Sequence, residues 1–224
     1  MISVRTKLYF SMENLILQQF FVFTFPERHD KMCSYLYFSF LRGQTMDSNF
    51  FALISRMRYI ARWGLMRNAL PENIQEHSHM VAVLAHALGV IRRDIFHQPC
   101  DVNALATAAL YHDASEILTG DLPTPIKYHN AEIMSAYHAV EDLAVQKLLG
   151  MLPPELRETY ADVLAEDKDG DIYPLVKAAD KLSAYIKCIE ERKAGNNEFL
   201  SAEAQTRAAL EASPLPEVQY FLEH

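Results

Sequence analysis

The sequence predicts an all-α protein built as a helical bundle, and three features carry that expectation. From Met46 onward, segments rich in Ala, Leu, Glu and Lys place apolar residues at three- and four-residue steps. Strand-like alternation is scarce throughout the same region. The helical segments are separated by prolines and by Asn or Asp residues of capping type.

In chain order the spacing predicts helices near residues 50–61, 75–93, 102–114, 128–149, 154–166, 172–194 and 202–212. Asp101 is a natural N-cap for the third. The segment 117–126, ILTGDLPTPI, holds two prolines and a glycine that cannot continue a helix, so it reads as a loop. Loops held between rigid helices often carry binding groups, and a plain connector would need the same residues.

A chain of 224 residues suits one domain with an appendage. Its net charge of −8 gives no overall attraction for a nucleic-acid backbone, so a small ligand fits better than a polymer. Cys33, Cys100 and Cys188 form no CxxC pair, which indicates neither a disulfide framework nor a zinc ribbon and suits a reducing cytoplasm. No apolar run approaches the roughly 20 residues of a membrane-spanning helix. The N-terminus also lacks the pattern of a secretory signal, because Arg5 and Lys7 are followed by Glu13 and Asn14 with no small-residue cleavage site.

Residues 1–45 differ from the rest. They contain 10 of the 24 aromatic residues, with five basic and three acidic residues and no clear periodicity. The expectation is an atypical extension preceding a domain at 46–224, with Met46 as the native start. The alternative is an arm that packs on the domain or on a second subunit.

Three places carry candidate chemistry. His77 shares a helical stripe with Val81, Leu84 and Leu88, so it faces the core. A satisfied core histidine would look the same. His112 and Asp113 end an otherwise apolar helix, where desolvation demands a compensating partner, either a cation or a salt bridge. Asp180 lies one helical step from Val176 and from Ala184 within an apolar face. Two imidazoles and two carboxylates make a mixed nitrogen and oxygen set suited to Mn, Co, Fe or Zn rather than to Ca or Mg. The acidic pairs at 141–142 and 190–191 read as solvated helix faces, and the run 166–171 as a turn without the ligand spacing of a calcium loop.

His77, His112-Asp113 and Asp180, taken in that order, resemble the signature of HD-domain phosphohydrolases. The surrounding text is more specific: ARWGLMRN at 61–68, ENIQEHS at 72–78, YHDASEILTGDLPTPIK at 111–127, KCIEE at 187–191 and GNNEFL at 195–200. These stretches are similar to the bacterial 5′-deoxynucleotidases of the YfbR type, and the resemblance runs from about Phe50 to the C-terminus.

The resemblance implies an HD-domain bundle with a metal site in its core. It also implies hydrolysis of 2′-deoxyribonucleoside 5′-monophosphates with one divalent ion, Co2+ or Mn2+, in a homodimer. The ion would be held by His77, His112, Asp113 and Asp180. Glu116 would orient water or move a proton, and Asp121 would position water or the leaving 5′ oxygen. Arg62 would hold phosphate and Trp63 would stand against the sugar near C2′, with His77, Thr124 and Lys127 also within reach of substrate. Competing expectations are an HD-fold hydrolase of nucleoside triphosphates or signalling nucleotides, and a non-catalytic nucleotide-binding protein of the same fold.

Overall fold

A computed structural model describes residues 49–127, 129–165 and 170–224, all within one compact unit, Ser48–His224. The extension at 1–45, the helix start expected at residue 128, the helix end expected at 166 and most of the acidic run 166–171 lie outside the described residues.

The all-α expectation is met. Helix α1 spans Phe50–Ile54 and tightens into a 3₁₀ segment, Ser55–Tyr59, so the predicted helix at 50–61 is shorter and irregular. Helix α2, Ile74–Val90, starts where the Asn73 side chain accepts from the N–H groups of Gln75 and Glu76. It ends in a π turn, Ile91–Ile95. Helix α3, Val102–Tyr111, is capped by Asp101, whose Oδ1 accepts from Asn103 and Ala104 N–H at 3.0 Å each.

The expected loop at 117–126 is in part helical. Short α4, Glu116–Thr119, closes at Gly120, whose φ of 75° falls where a side chain is disfavoured. Short α5, Thr124–Lys127, holds Pro125 in its first turn, where no N–H is required. Helix α6, Ala131–Gly150, begins at its cap Asn130, and α7 spans Pro154–Leu164. Helix α8, Tyr173–Lys193, leads through a 3₁₀ turn, Asn197–Phe199, into α9, Leu200–Glu211. A terminal helix, α10 at Pro216–Glu223, was not among the expected elements.

Helix α2 is the central element, lying between α3 and α8. The core joins Val81, Leu84 and Leu88 of α2 to Leu105 of α3 and Leu182 of α8. Leu210 of α9 and Val218 of α10 close it. At Gly89 an added Cβ would sit 2.9 Å from Leu105 Cδ2 and 3.0 Å from Val102 Cγ1, so the missing side chain is what lets α2 and α3 approach. Burying these stripes contributes roughly 1.5–3 kcal/mol for each large side chain. Among the described residues no helix is long and apolar enough to cross a membrane.

Candidate metal centre and substrate pocket

Three helices meet at one polar spot inside this apolar frame. His77 comes from the first turn of α2, His112 and Asp113 from the end of α3, and Asp180 from α8. His77 is fully buried on the predicted stripe, whereas His79 and His86 are exposed. One ligand atom from each of His77, His112 and Asp180 falls within 4.8 Å of the others. Asp113 Oδ2 lies 3.2 Å from His112 Nε2 and 3.6 Å from His77 Nε2, which brings all four expected ligands together. Asp180 is less enclosed than its apolar face suggested, with its side chain 34% exposed.

The donor atoms are prepared for a cation. His112 Nδ1 is 2.7 Å from the Ala109 carbonyl, which can only accept, so Nδ1 carries a proton and Nε2 is the nitrogen that faces the cluster. His77 Nδ1 lies 3.2 Å from Ser183 Oγ, which likewise turns its Nε2 toward the cluster. Both Nε2 atoms are buried without a hydrogen-bond partner, although Asp180 Oδ1 is only 3.0 Å from that of His77. Imidazole nitrogens and carboxylate oxygens crowded in this way require positive charge among them, supplied by ring protons or by a bound cation. The chemistry of the set therefore fits a divalent transition metal.

Electrostatics agree. Burial alone would raise the pKa of Asp180, yet the neighbouring His77 and His112 rings and Arg62 hold it well below the usual carboxylate range. Asp113 is likewise depressed against its burial by His112, His77 and Arg62. Glu116 behaves oppositely. It is buried, one of its oxygens has no partner, and burial together with Asp113 and Asp121 pushes its pKa well above the ordinary 4.5. This placement excludes a surface role for Glu116. Asp121 is raised too, mainly by burial, against the opposing pull of Arg62.

Arg62 reaches Asp113 Oδ2 through Nη1 at 3.4 Å and Glu72 Oε2 through Nε at 3.1 Å. Burial would lower its pKa, but the surrounding Asp113, Asp121, Asp180 and Glu116 raise it, so the guanidinium stays charged. Trp63 sits beside it with a φ of 60°, a left-handed conformation that costs a non-glycine residue on the order of 1–3 kcal/mol. Such strain persists only where the surroundings impose it, and here the indole Nε1 donates to Glu72 at 2.9 Å while the ring packs on Phe199. Thr124 and Lys127 are placed differently. Thr124 is exposed at the start of α5, and Lys127 Nζ donates to Glu141 at 2.9 Å and lies 4.5 Å from the Tyr137 ring centroid.

Two expectations about charged runs are corrected. Glu191 is fully buried rather than solvated, because its carboxylate accepts from Ala69 and Leu70 N–H, Asn196 Nδ2 and Lys187 Nζ. Glu141 is partly buried between Lys127 and His138. Sequence reasoning also passed over Glu72, Ser183 and Phe199 as supports of the site. Spacing held one clue: Asp180, Lys187 and Glu191 lie seven and four residues apart, on a single helical face.

Known proteins place this geometry. The family model described as 5′-deoxynucleotidase YfbR-like matches residues 49–224. A protein named 5′-deoxynucleotidase YfbR from Shigella boydii is 51% identical over 178 residues, covering 79% of this chain and 89% of that one. Its namesake from Escherichia coli K12 is 50% identical over the same extent. Among solved structures, an HD-domain phosphohydrolase from Listeria innocua superposes with a TM-score of 0.71 at 26% identity, covering 79% of this chain and 85% of that one. The fold is shared with an HD phosphohydrolase of cyanophage S-2L, solved with dA and one catalytic Zn2+, at a TM-score of 0.52 and 24% identity over 77% of this chain and 93% of that one. The chain is a member of the YfbR-like 5′-deoxynucleotidase family, with the HD-domain phosphohydrolase fold.

Proposed function

We infer that this protein is a metal-dependent 5′-deoxynucleotidase, hydrolysing 2′-deoxyribonucleoside 5′-monophosphates to deoxyribonucleoside and phosphate. One observation carries the reading: two buried imidazoles present unpartnered Nε2 atoms to two carboxylates, directly beside a charged arginine. The family membership supports the substrate class.

His77, His112, Asp113 and Asp180 are the residues that would hold the ion. A bound divalent ion supplies Lewis acidity, polarising a phosphoryl oxygen and making water a stronger nucleophile. The protein's own groups do the rest. Glu72 and Asp113 engage two of the five guanidinium N–H donors of Arg62, leaving three to orient the phosphate. Water adds to phosphorus and the bond to the 5′ oxygen breaks, so that oxygen must gain a proton. Glu116, whose environment favours its protonated form, is the group to carry it, and Asp121 holds the attacking water or the departing oxygen in line. Trp63 forms a wall against the sugar near C2′, where a 2′-hydroxyl would find neither room nor partner.

Cobalt or manganese as the resident ion, a homodimeric state and a cytoplasmic location belong to the same proposal. They rest on the mixed donor set, on the family and on the free thiols of Cys100 and Cys188. A polyphosphate substrate is less well supported, because Lys127 is already engaged by Glu141. The test is phosphate release from dNMP, NMP and dNTP panels after chelation and add-back of Co2+ or Mn2+. Restored, dNMP-selective activity is expected, lost in Asp113→Ala, whereas selective triphosphate cleavage would overturn the assignment.

A further inference from the structure

One carboxylate oxygen joins two groups that the proposed chemistry uses for different purposes. Glu72 Oε2 accepts from Arg62 Nε at 3.1 Å and from Trp63 Nε1 at 2.9 Å, so a single atom locates both the guanidinium and the indole. The backbone adds a second connection. Arg62 N–H donates to the Glu72 carbonyl at 3.0 Å, Ile74 N–H donates to the Ile60 carbonyl at 3.0 Å, and Ala61 and Asn73 form an antiparallel bridge. Glu72 therefore cannot move independently of Arg62. Its side chain is only 15% exposed, which shields both bonds from competing water.

Trp63 needs such a hold. Its backbone is left-handed, and among the described residues the Glu72 bond is the side-chain hydrogen bond that defines how the indole is turned about its side-chain torsions. The tilted packing on Phe199, with centroids 5.2 Å apart, tolerates sliding.

We propose that Glu72 is a positioning residue for sugar selection: its fork to Arg62 and Trp63 sets the distance between the phosphate clamp and the indole wall, so discrimination against a 2′-hydroxyl depends on it. This rests on the deoxynucleotidase reading above. A wall excludes a hydroxyl only if it is in register with the anchored phosphate. When the shared oxygen is removed, the indole gains room to turn away, while Arg62 keeps its contact with Asp113 at 3.4 Å. The expected effect falls on the choice of sugar more than on the rate.

The experiment compares wild type with Glu72→Ala on dAMP and AMP, with metal present, and also records the fluorescence of the ligand-free proteins. Trp63 is the only tryptophan of the chain, so emission reports on this one side chain. In Glu72→Ala the ratio of kcat/KM for dAMP over AMP should fall by about tenfold, the size of a steric discrimination, with red-shifted emission and lower anisotropy. Glu72→Asp keeps the charge but withdraws the oxygen by one methylene, and it should change both readouts in the same direction. It serves as the test if the alanine variant does not fold. Equal losses for both nucleotides with an unchanged ratio, or unaltered emission, would overturn the proposal. Lack of deoxynucleotide preference in the wild type would remove the parent reading instead.

Discussion

Replacing Glu191 by alanine is expected to destabilise the fold far more than its surface-like sequence context suggests. The carboxylate is fully buried and accepts from Ala69 N–H at 2.8 Å, Leu70 N–H at 2.9 Å, Asn196 Nδ2 at 2.8 Å and Lys187 Nζ at 2.5 Å. Its loss leaves the Lys187 ammonium, 4% exposed, with the Leu70 carbonyl but no counter-charge, and strips two backbone N–H groups of their acceptor. Breaking a buried pair from one side costs about 3–5 kcal/mol. In a domain of this size each kcal/mol lowers Tm by roughly 2–4 °C, so a fall of about 6–20 °C should appear in calorimetry or chemical denaturation. Glu211→Ala is the control, because its 2.7 Å pair with Arg207 is more than half exposed on both sides and should contribute little to stability. The double variant Lys187→Met, Glu191→Leu should recover only the part due to the unpaired ammonium, because the Ala69 and Leu70 N–H groups still lack their acceptor. Acid adds an independent check. Burial alone would raise the pKa of Glu191, but Lys187, Asn196 and the two backbone N–H groups bring it from 4.5 down to about 2. Because the folded value is depressed, the stabilisation is complete above about pH 4.5 and disappears as pH falls toward 2, so this part of the acid-unfolding curve should flatten in Glu191→Ala. A cost below about 1 kcal/mol, or one no greater than that of Glu211→Ala, would refute the reasoning.

Two further variants probe the metal centre and its acid. Ser183→Ala removes the partner of His77 Nδ1 and should weaken divalent-ion affinity by about 10–100-fold in titration calorimetry; unchanged affinity would show that the hydroxyl does not orient the ring. Glu116→Gln should retain the ion at full stoichiometry while kcat falls by about 10²–10⁴, and a rate near wild type would remove Glu116 as the proton carrier.

The four candidate ligands could be picked out because each lies on a regular helix or directly after one. His77 follows the stripe through Val81, Leu84 and Leu88, and all four are buried as that period requires. Asp101 acts as the cap that its position before an apolar run predicts. What could not be read locally is what returns from afar. The EERK text at 190–193 looks solvated, and Glu191 is buried only because residues 69 and 70 fold back onto it from more than 120 positions away. Glu72 is similar: its sequence neighbourhood resembles the family, but nothing in one-dimensional spacing says that one of its oxygens serves both Arg62 and Trp63. The helical turn at Thr124–Lys127 escaped because two prolines were read as breakers, although the first turn of a helix accepts proline. The terminal helix Pro216–Glu223 was missed despite a proline suited to its first turn, since eight residues are too few for periodicity to stand out.

The π turn that ends α2 has a mechanical meaning. It directs Arg92 to Glu217 at 2.5 Å, and this fully buried carboxylate belongs to α10, whose Val218 also closes the core. His77 lies near the other end of the same helix, 15 residues or roughly 22 Å away at 1.5 Å per residue. A single rod thus has a proposed metal ligand near one end and a buried carboxylate of α10 paired to the other. Helix α10, packed on α2 and joined to its far end by this ion pair, thereby helps to fix the rod that carries His77.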